Sequence, residues 1–375
     1  MKARIFAALC VAFIGLTGCI KGSRNFLYVT GQGTNEVFGF RIHSDGSLSA
    51  LGTPNFTVGS RPAALAIHPP GDFCYIANSA GNNVTLLDIN SGNGDLTVPP
   101  TNSALPPLTP PNLFNAGTTP ISMAMAPNAP RLYVANRDSG DISAFLIDPT
   151  NGNLGLVPGS PFVVDPSSTT SLTNPQSVAI SPQGNFLYTA NPTQGTVAGF
   201  AIASNGSLTP VPGSPFAVGA AGTSPTFVAV HPNGNFLYAA DPAHNAVLGF
   251  SIGSNGAITP INGSPFAAGA GTVALSIAPQ GSFLYAANPG ADTVSAYTVG
   301  NSGALKQVSG SPFATGGHGP GFVLATSSSV YVADQTTNDI ATFSISDTGA
   351  LLPVKGSPFS VAVSPQWIIA TAVPQ

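Results

Sequence analysis

One short pattern recurs along the whole chain and limits the folds open to it. In its fullest form it reads Phe-Leu-Tyr-x-Ala-Asn, and its tyrosines are Tyr28, Tyr75, Tyr133, Tyr188, Tyr238, Tyr285 and Tyr331, spaced 46 to 58 residues apart. The residues around each Tyr are aromatic, β-branched or small and apolar, which suits a strand. A repeat unit this small cannot bury its own apolar faces and must stack against its copies. Strand-rich repeats of about 40–60 residues stack as the blades of a propeller rather than as a solenoid.

One unit shows the expected blade. Gln176-Ser177-Val178-Ala179-Ile180-Ser181 is the innermost strand, followed by the turn Pro182-Gln183-Gly184-Asn185. Phe186 to Ala190 is the second strand and Thr196 to Ile202 the third, with Ala198, Phe200 and Ile202 on one face. Asn205-Gly206 turns the hairpin into an outer strand, Leu208 to Val211, where proline is tolerated because the edge can lack a ladder donor. Gly213-Ser214-Pro215-Phe216 is expected to lead to the next blade, and the tetrapeptide returns at Gly159, Gly263, Gly310 and Gly356. The chain starts on a second strand (Phe26 to Thr30) and finishes on a first strand (Gln366 to Thr371). These fragments complete one blade, which removes two open sheet edges. The fold class is therefore all-β: a seven-bladed β-propeller over 26–375, four antiparallel strands per blade, its first blade closed by both termini. Two insertions break the period, Thr97 to Asn112 and Asp165 to Asn174.

Composition agrees. Gly 43 and Pro 36 supply many turns, yet hydrophobic residues reach 43% and charged residues only 6%. Disordered chains pair Gly and Pro with much charge and few aliphatics, so this chain has a core to bury. Formal net charge is −4, or −6 without Lys2 and Arg4, and no basic run occurs. Nucleic-acid binding is not expected, and neither is a polybasic attachment to anionic lipid.

The N-terminus reads as a targeting segment. A basic head, Met1-Lys2-Ala3-Arg4, precedes the apolar run Ile5 to Leu16, which is too short to span a bilayer. It ends in Leu16-Thr17-Gly18-Cys19. This resembles the bacterial lipobox, which implies removal of residues 1–18 and acylation of Cys19, with 19–25 as a tether. The protein is then expected in the bacterial cell envelope, held to a membrane by lipid and facing the periplasm or exterior. Cys74 is left without a disulfide partner and replaces a repeat Leu, so it reads as a small buried hydrophobe.

Tyr133-Val134-Ala135-Asn136 and its relatives resemble the repeats of lactonase-type seven-bladed propellers, the YVTN-repeat family. That family includes enzymes similar to 6-phosphogluconolactonase and to muconate-lactonising enzymes, and many surface proteins of unassigned chemistry. The resemblance implies a Pro-Arg-His motif where a first strand begins, and Asn-Glu after a second strand. Here the pairs after Pro or at its position are Ala63-Ala64, Ile121-Ser122, Gln176-Ser177, Thr226-Phe227, Gly321-Phe322 and Gln366-Trp367. The residues after the closing Asn or Asp are Ser79, Arg137, Pro192, Pro242, Pro289 and Gln335. The family's Arg-His and Asn-Glu residues are thus missing.

In an up-and-down blade, the loops after second strands and the links between blades share one face, the functional mouth. That face is expected to carry Glu36, Arg61, Arg137, Asp138, Asp241, His244, His318 and Asp334 as a candidate binding surface, beside Asp141, Asp165, Asp292 and Asp339. For catalysis, Arg61 and Arg137 would be the cationic stabilisers, His244 or His318 the base, and Asp241 or Asp334 its orienting group. These groups come from blades 2, 3, 5 and 7, so they are expected to lie apart around the ring. Asn78, Asn136, Asn191, Asp241, Asn288 and Asp334 form a repeated ring, read as bonding to their own turn backbones. Glu36 is the sole glutamate, which excludes a Glu-based acid/base pair. No metal site and no cofactor are expected. The chain is expected to be a monomeric, non-catalytic binding or scaffold module for a neutral carbohydrate or a protein. The alternative is a lactone hydrolase or cycloisomerase with a diverged site.

Overall fold

The computed structural model describes residues 24–99, 112–166 and 173–373. The leader, Cys19 and most of both insertions lie outside the described residues. Seven antiparallel sheets surround one axis, and no helix occurs among the described residues. Blade 1 runs, from the rim inward, Leu48–Thr57, Glu36–Ile42, Arg24–Gln32 and Ser364–Val373. The last two strands pair Tyr28 with Ile369, Val29 with Ile368 and Thr30 with Trp367. The Trp367 backbone N–H also donates to Thr30 Oγ1 at 3.1 Å. The two ends of the chain therefore close the ring as expected, although the first strand begins at Arg24 rather than Phe26.

The repeated tyrosine is the contact that joins blades. Alternation on the second strand sends Leu one way and Tyr the other. Leu187 packs with Tyr133 and Ala135 of the preceding blade, and Tyr188 with Leu237 of the following one. Six of the seven Tyr hydroxyls donate to the carbonyl of a hairpin glycine in the following blade: Tyr28 to Gly94, Tyr75 to Gly152, Tyr133 to Gly206, Tyr188 to Gly256, Tyr238 to Gly303 and Tyr285 to Gly349, at 2.6–3.1 Å. Desolvation raises the phenol pKa at each of these positions. The glycines are required. Gly256 sits at φ +82°, and a Cβ there would come within 2.6 Å of the Phe186 ring. The Phe of Phe-Leu-Tyr thus covers the same glycine whose carbonyl the Tyr holds.

The Gly-Ser-Pro-Phe segments do not lead out of the blade. Phe216–Ala217 returns to the third strand, pairing Val197 with Phe216 and Thr196 with Ala217. The outer strand is thus two short pieces bridged by the tetrapeptide. Pro215 cannot pair at the ladder, so Ser214 does so through its side chain: Gly199 N–H donates to Ser214 Oγ at 2.9 Å. Ser160, Ser264, Ser311 and Ser357 accept in the same way at 2.7–2.9 Å. Cys74 is fully buried and free, and desolvation raises its thiol pKa.

Candidate ligand site at the central mouth

The inner strands begin, and the second strands end, around one opening of the ring. A cavity of about 430 Å³ lies there. Its walls are the first residues of inner strands, among them Ala63, Ile121, Gln176, Val273, Gly321 and Gln366, and the residues that follow second strands, Ser79, Arg137, Asp138 and Gln335. Arg61 and Thr119, from the links into blades 2 and 3, complete the rim.

Its floor is aromatic. Phe322 of blade 7 and Trp367 of blade 1 have ring centroids 4.5 Å apart, and Phe227 of blade 5 lies 5.9 Å from Phe322 and 6.2 Å from Trp367. Trp367 packs against the cores on blades 7, 1 and 2 together, which places it across the axis. It is the one tryptophan of the chain.

The cationic wall is built by blades 2 and 3. Arg137 Nε donates to Asp138 Oδ1 at 2.7 Å, and Thr119 Oγ1 donates to Asp138 Oδ2 at 2.6 Å. The Arg137 and Thr119 bonds hold the Asp138 carboxyl below its ordinary range, and the same ion pair raises the guanidinium. Arg61 has an unusual backbone, with φ +54° immediately before Pro62. Thr119 and Gly319 take the same left-handed turn before Pro120 and Pro320. Their N–H groups are held by turn residues of the preceding blade: Arg61 by Asn35 Oδ1 at 3.2 Å, Thr119 by Asn82 at 2.9 Å and Gly319 by Asp292 at 2.8 Å. Blade 7 uses glycine where blade 2 holds an arginine in a conformation that costs an L-residue about 1–3 kcal/mol.

Of the groups expected to lie spread around the ring, Arg61 of blade 2 and Arg137 of blade 3 line the same cavity, with Asp138 beside Arg137. The cavity lies where neighbouring blades converge on the axis, so blades 2 and 3 reach it side by side. The other five candidates do not line it. Glu36 accepts from Asn55 Nδ2 at 2.8 Å on blade 1. His244 Nδ1 contacts the buried Asp241 at 2.7 Å, and His318 Nδ1 contacts Asp292 at 2.8 Å. Asp334 is buried, and desolvation together with the charge of Asp339 pushes its carboxyl up to about 8.

The ring of Asn residues differs from the expected turn-backbone role. Asn78 Nδ2 donates to Asn83 Oδ1 and Thr85 Oγ1, Asn136 Nδ2 to Asp141 Oδ1 and Ser143 Oγ, and Asn288 Nδ2 to Thr293 Oγ1 and Ser295 Oγ. The partners are side chains five and seven residues on, because the third strand pairs directly opposite. Among the described residues no group of three His, Cys, Asp or Glu side chains is placed to hold a metal ion.

Sequence reading missed the glutamines and aromatic rings of the cavity. Their signal was positional: Gln176, Phe227, Phe322, Gln366 and Trp367 all occupy the pairs at the start of inner strands.

The architecture defines a seven-bladed propeller, closed by its termini, with a polar mouth over an aromatic floor. The family model described as lactonase, 7-bladed β-propeller, matches residues 19–109, 161–262, 214–321 and 258–368, and the chain belongs to that family. The 6-phosphogluconolactonase of Bacillus subtilis is 24% identical over 133 residues, 36% of each chain. That of Pectobacterium carotovorum is 25% identical over 202 residues, 54% of this chain and 53% of its own. The matches thus span about a third and about half of those relatives' lengths. A protein of Bacteroides uniformis superposes with TM-score 0.76 at 19% identity, covering 94% of this chain and all of that one. A periplasmic gluconolactonase of Pseudomonas aeruginosa does so with TM-score 0.73 at 20% identity and the same coverage. At these identities the likeness to the solved structures is one of fold.

Proposed function

We propose that this protein is a lipid-anchored propeller of the bacterial cell envelope whose central mouth binds a monosaccharide-sized carbohydrate without turning it over. The volume suits such a ligand. Trp367 offers a face for the apolar side of a sugar ring. The amides of Gln176, Gln335 and Gln366 and the hydroxyls of Ser79 and Thr119 offer hydrogen bonds to its hydroxyl groups.

The observation that carries the non-catalytic reading is the state of Asp138. Among the described residues it is the one carboxylate lining the cavity, and no imidazole lines it. Lactone hydrolysis needs a base to take a proton from water. A carboxylate bound by Arg137 and Thr119 is a weak one. The convergence of Arg61 and Arg137 favours a second reading, lactone hydrolysis as in the curated relatives, with the guanidinium groups polarising the carbonyl.

The test uses the chain from residue 20 onward. Gluconate, δ-gluconolactone and glucose are titrated while Trp367 fluorescence is followed, and hydrolysis of δ-gluconolactone and 6-phosphogluconolactone is measured by acid release. Saturable fluorescence changes with hydrolysis no faster than buffer support binding. Turnover abolished by Arg137→Ala establishes the enzyme instead. For the anchor, Cys19→Ala is expected to move the full-length protein from the membrane to the soluble fraction. A variant that stays membrane-bound refutes lipidation.

A further inference from the structure

Blade 7 departs from its siblings at one buried pair. In blade 3, the Asn136 amide donates to the Asp141 carboxylate at 2.7 Å. In blade 7 both positions are carboxyls: Asp334 replaces the amide, and Asp339 is its direct partner across the ladder. Asp334 is fully buried and Asp339 is 7% exposed. A Cβ placed on Gly317 would come within 2.5 Å of Asp334 Oδ2 and 2.6 Å of Asp339 Oδ1, so the two oxygens converge on one small space beneath the link from blade 6. Thr315 is the nearby hydroxyl that favours the Asp334 carboxylate, but it donates to the Gly317 carbonyl at 3.1 Å, and no hydrogen bond reaches either oxygen of Asp334 or Oδ1 of Asp339 among the described residues. The ring's other aspartate, Asp241, is instead satisfied by His244 and by the Ser224 N–H.

Two carboxylates this close and this deeply buried repel each other, and a single proton between them supplies the donor that Asn136 supplies in blade 3. We propose that Asp334 and Asp339 share one buried proton, which latches the end of blade 7's second strand to its third beneath Gly317. Asp334 directly precedes Gln335 of the cavity wall, so the latch sits beside the mouth. The other charged group facing the pair is Asp292, from the loop of blade 6, whose Oδ2 is held by His318.

The sign follows from linkage. A carboxyl whose pKa is raised on folding, here from 3.8 to about 8, binds a proton that the unfolded chain has released. Its stabilisation is complete below the unfolded pKa, is lost as pH rises through this window, and does not change further above it. The proton belongs to the pair rather than to either residue.

The experiment compares unfolding of wild type and Asp334→Asn, which recreates the amide–carboxylate pair of blade 3, across pH. In this comparison the reference protein and the Asp334→Asn variant both carry His318→Gln, which removes the imidazole that holds Asp292. The ratio of their unfolding constants is expected to grow towards about tenfold per pH unit in favour of the Asp334→Asn protein between about pH 4 and 8, then level off. Infrared difference spectra at neutral pH should show the carbonyl stretch of a protonated carboxyl in wild type. That band should be lost in both Asp334→Asn and Asp339→Asn. Parallel pH profiles, or no such band, would overturn the shared proton. So would a melting temperature that rises with added calcium while the band is absent, which would assign the space to a metal ion.

Discussion

The two sides of the mouth are built on the same backbone and carry opposite chemistry. Blades 2 and 3 present Arg61, Arg137 and Asp138, whereas blades 5, 7 and 1 present Phe227, Phe322 and Trp367. The aromatic side uses residues at the start of inner strands, and the cationic side the residue before an inner strand and those that follow a second strand. The repeat therefore sets where a side chain can reach the axis, and the residue placed there sets what it does. The aromatic side is structural as well, because Trp367 lies on the strand that closes the ring. The cationic side is surface chemistry on a frame held by Asn35, Asn82 and Thr119.

The largest expected effect breaks the aromatic side. Deleting Pro365 to Gln375 removes the inner strand of blade 1 along with Trp367, Ile368 and Ile369. At about 1.5–3 kcal/mol per large buried apolar side chain, and with a ladder edge left open, the loss rivals the 5–15 kcal/mol stability of a typical domain. The truncated protein should aggregate or lose its cooperative melt by calorimetry. An unchanged melting temperature would contradict the closure.

A smaller loss of stability is expected where neither side of the mouth is touched. Tyr188→Phe leaves the buried carbonyl of Gly256 without its donor, at a cost of about 1–3 kcal/mol. Denaturant titration should show a lower midpoint with an unchanged slope, and carbohydrate affinity should stay as it was. A parallel loss of affinity would mean that the mouth depends on the blade interface rather than on its local frame.

Arg137→Ala separates the two sides by function. It should weaken binding of a gluconate-like ligand about tenfold, equivalent to about 1.4 kcal/mol, with little change in melting temperature, because exposed ion pairs contribute only about 0–1 kcal/mol. Trp367 fluorescence reads the binding and thermal melting the stability. Arg61→Gly sharpens the contrast with the smallest effect. Relief of the left-handed backbone should raise stability by about 1 kcal/mol while affinity falls. A variant that loses both would show that Arg61 supports the frame instead.

The fold was open to sequence reading because seven copies of one pattern report the same environment. Strand alternation, turn residues and the split first blade could be inferred from Phe186-Leu187-Tyr188 and its relatives alone. The Tyr-to-Gly latch was not, since Tyr28 and Gly94 are far apart in sequence and meet only when blades stack. Nor was the return of Phe216 to its own sheet, which depends on Ser214 replacing a ladder partner. At the mouth, Arg61 and Arg137 were identified by residue type, but their meeting depends on how close the blades come at the axis. Gln176 and Trp367 escaped notice because a glutamine or tryptophan at the start of a strand has no distinctive chemistry until a cavity surrounds it.

By itself, then, the sequence determined the repeat, the number of blades and the closing of the ring, since these rest on local patterning and on which strand types stand at the two ends. Tertiary structure decided which side chains share a space. The cavity floor needs Phe227, Phe322 and Trp367 from three blades. The acid pair of blade 7 needs the strand pairing that sets Asp334 opposite Asp339. Convergence on an axis is a property of the closed ring, and no single repeat contains it.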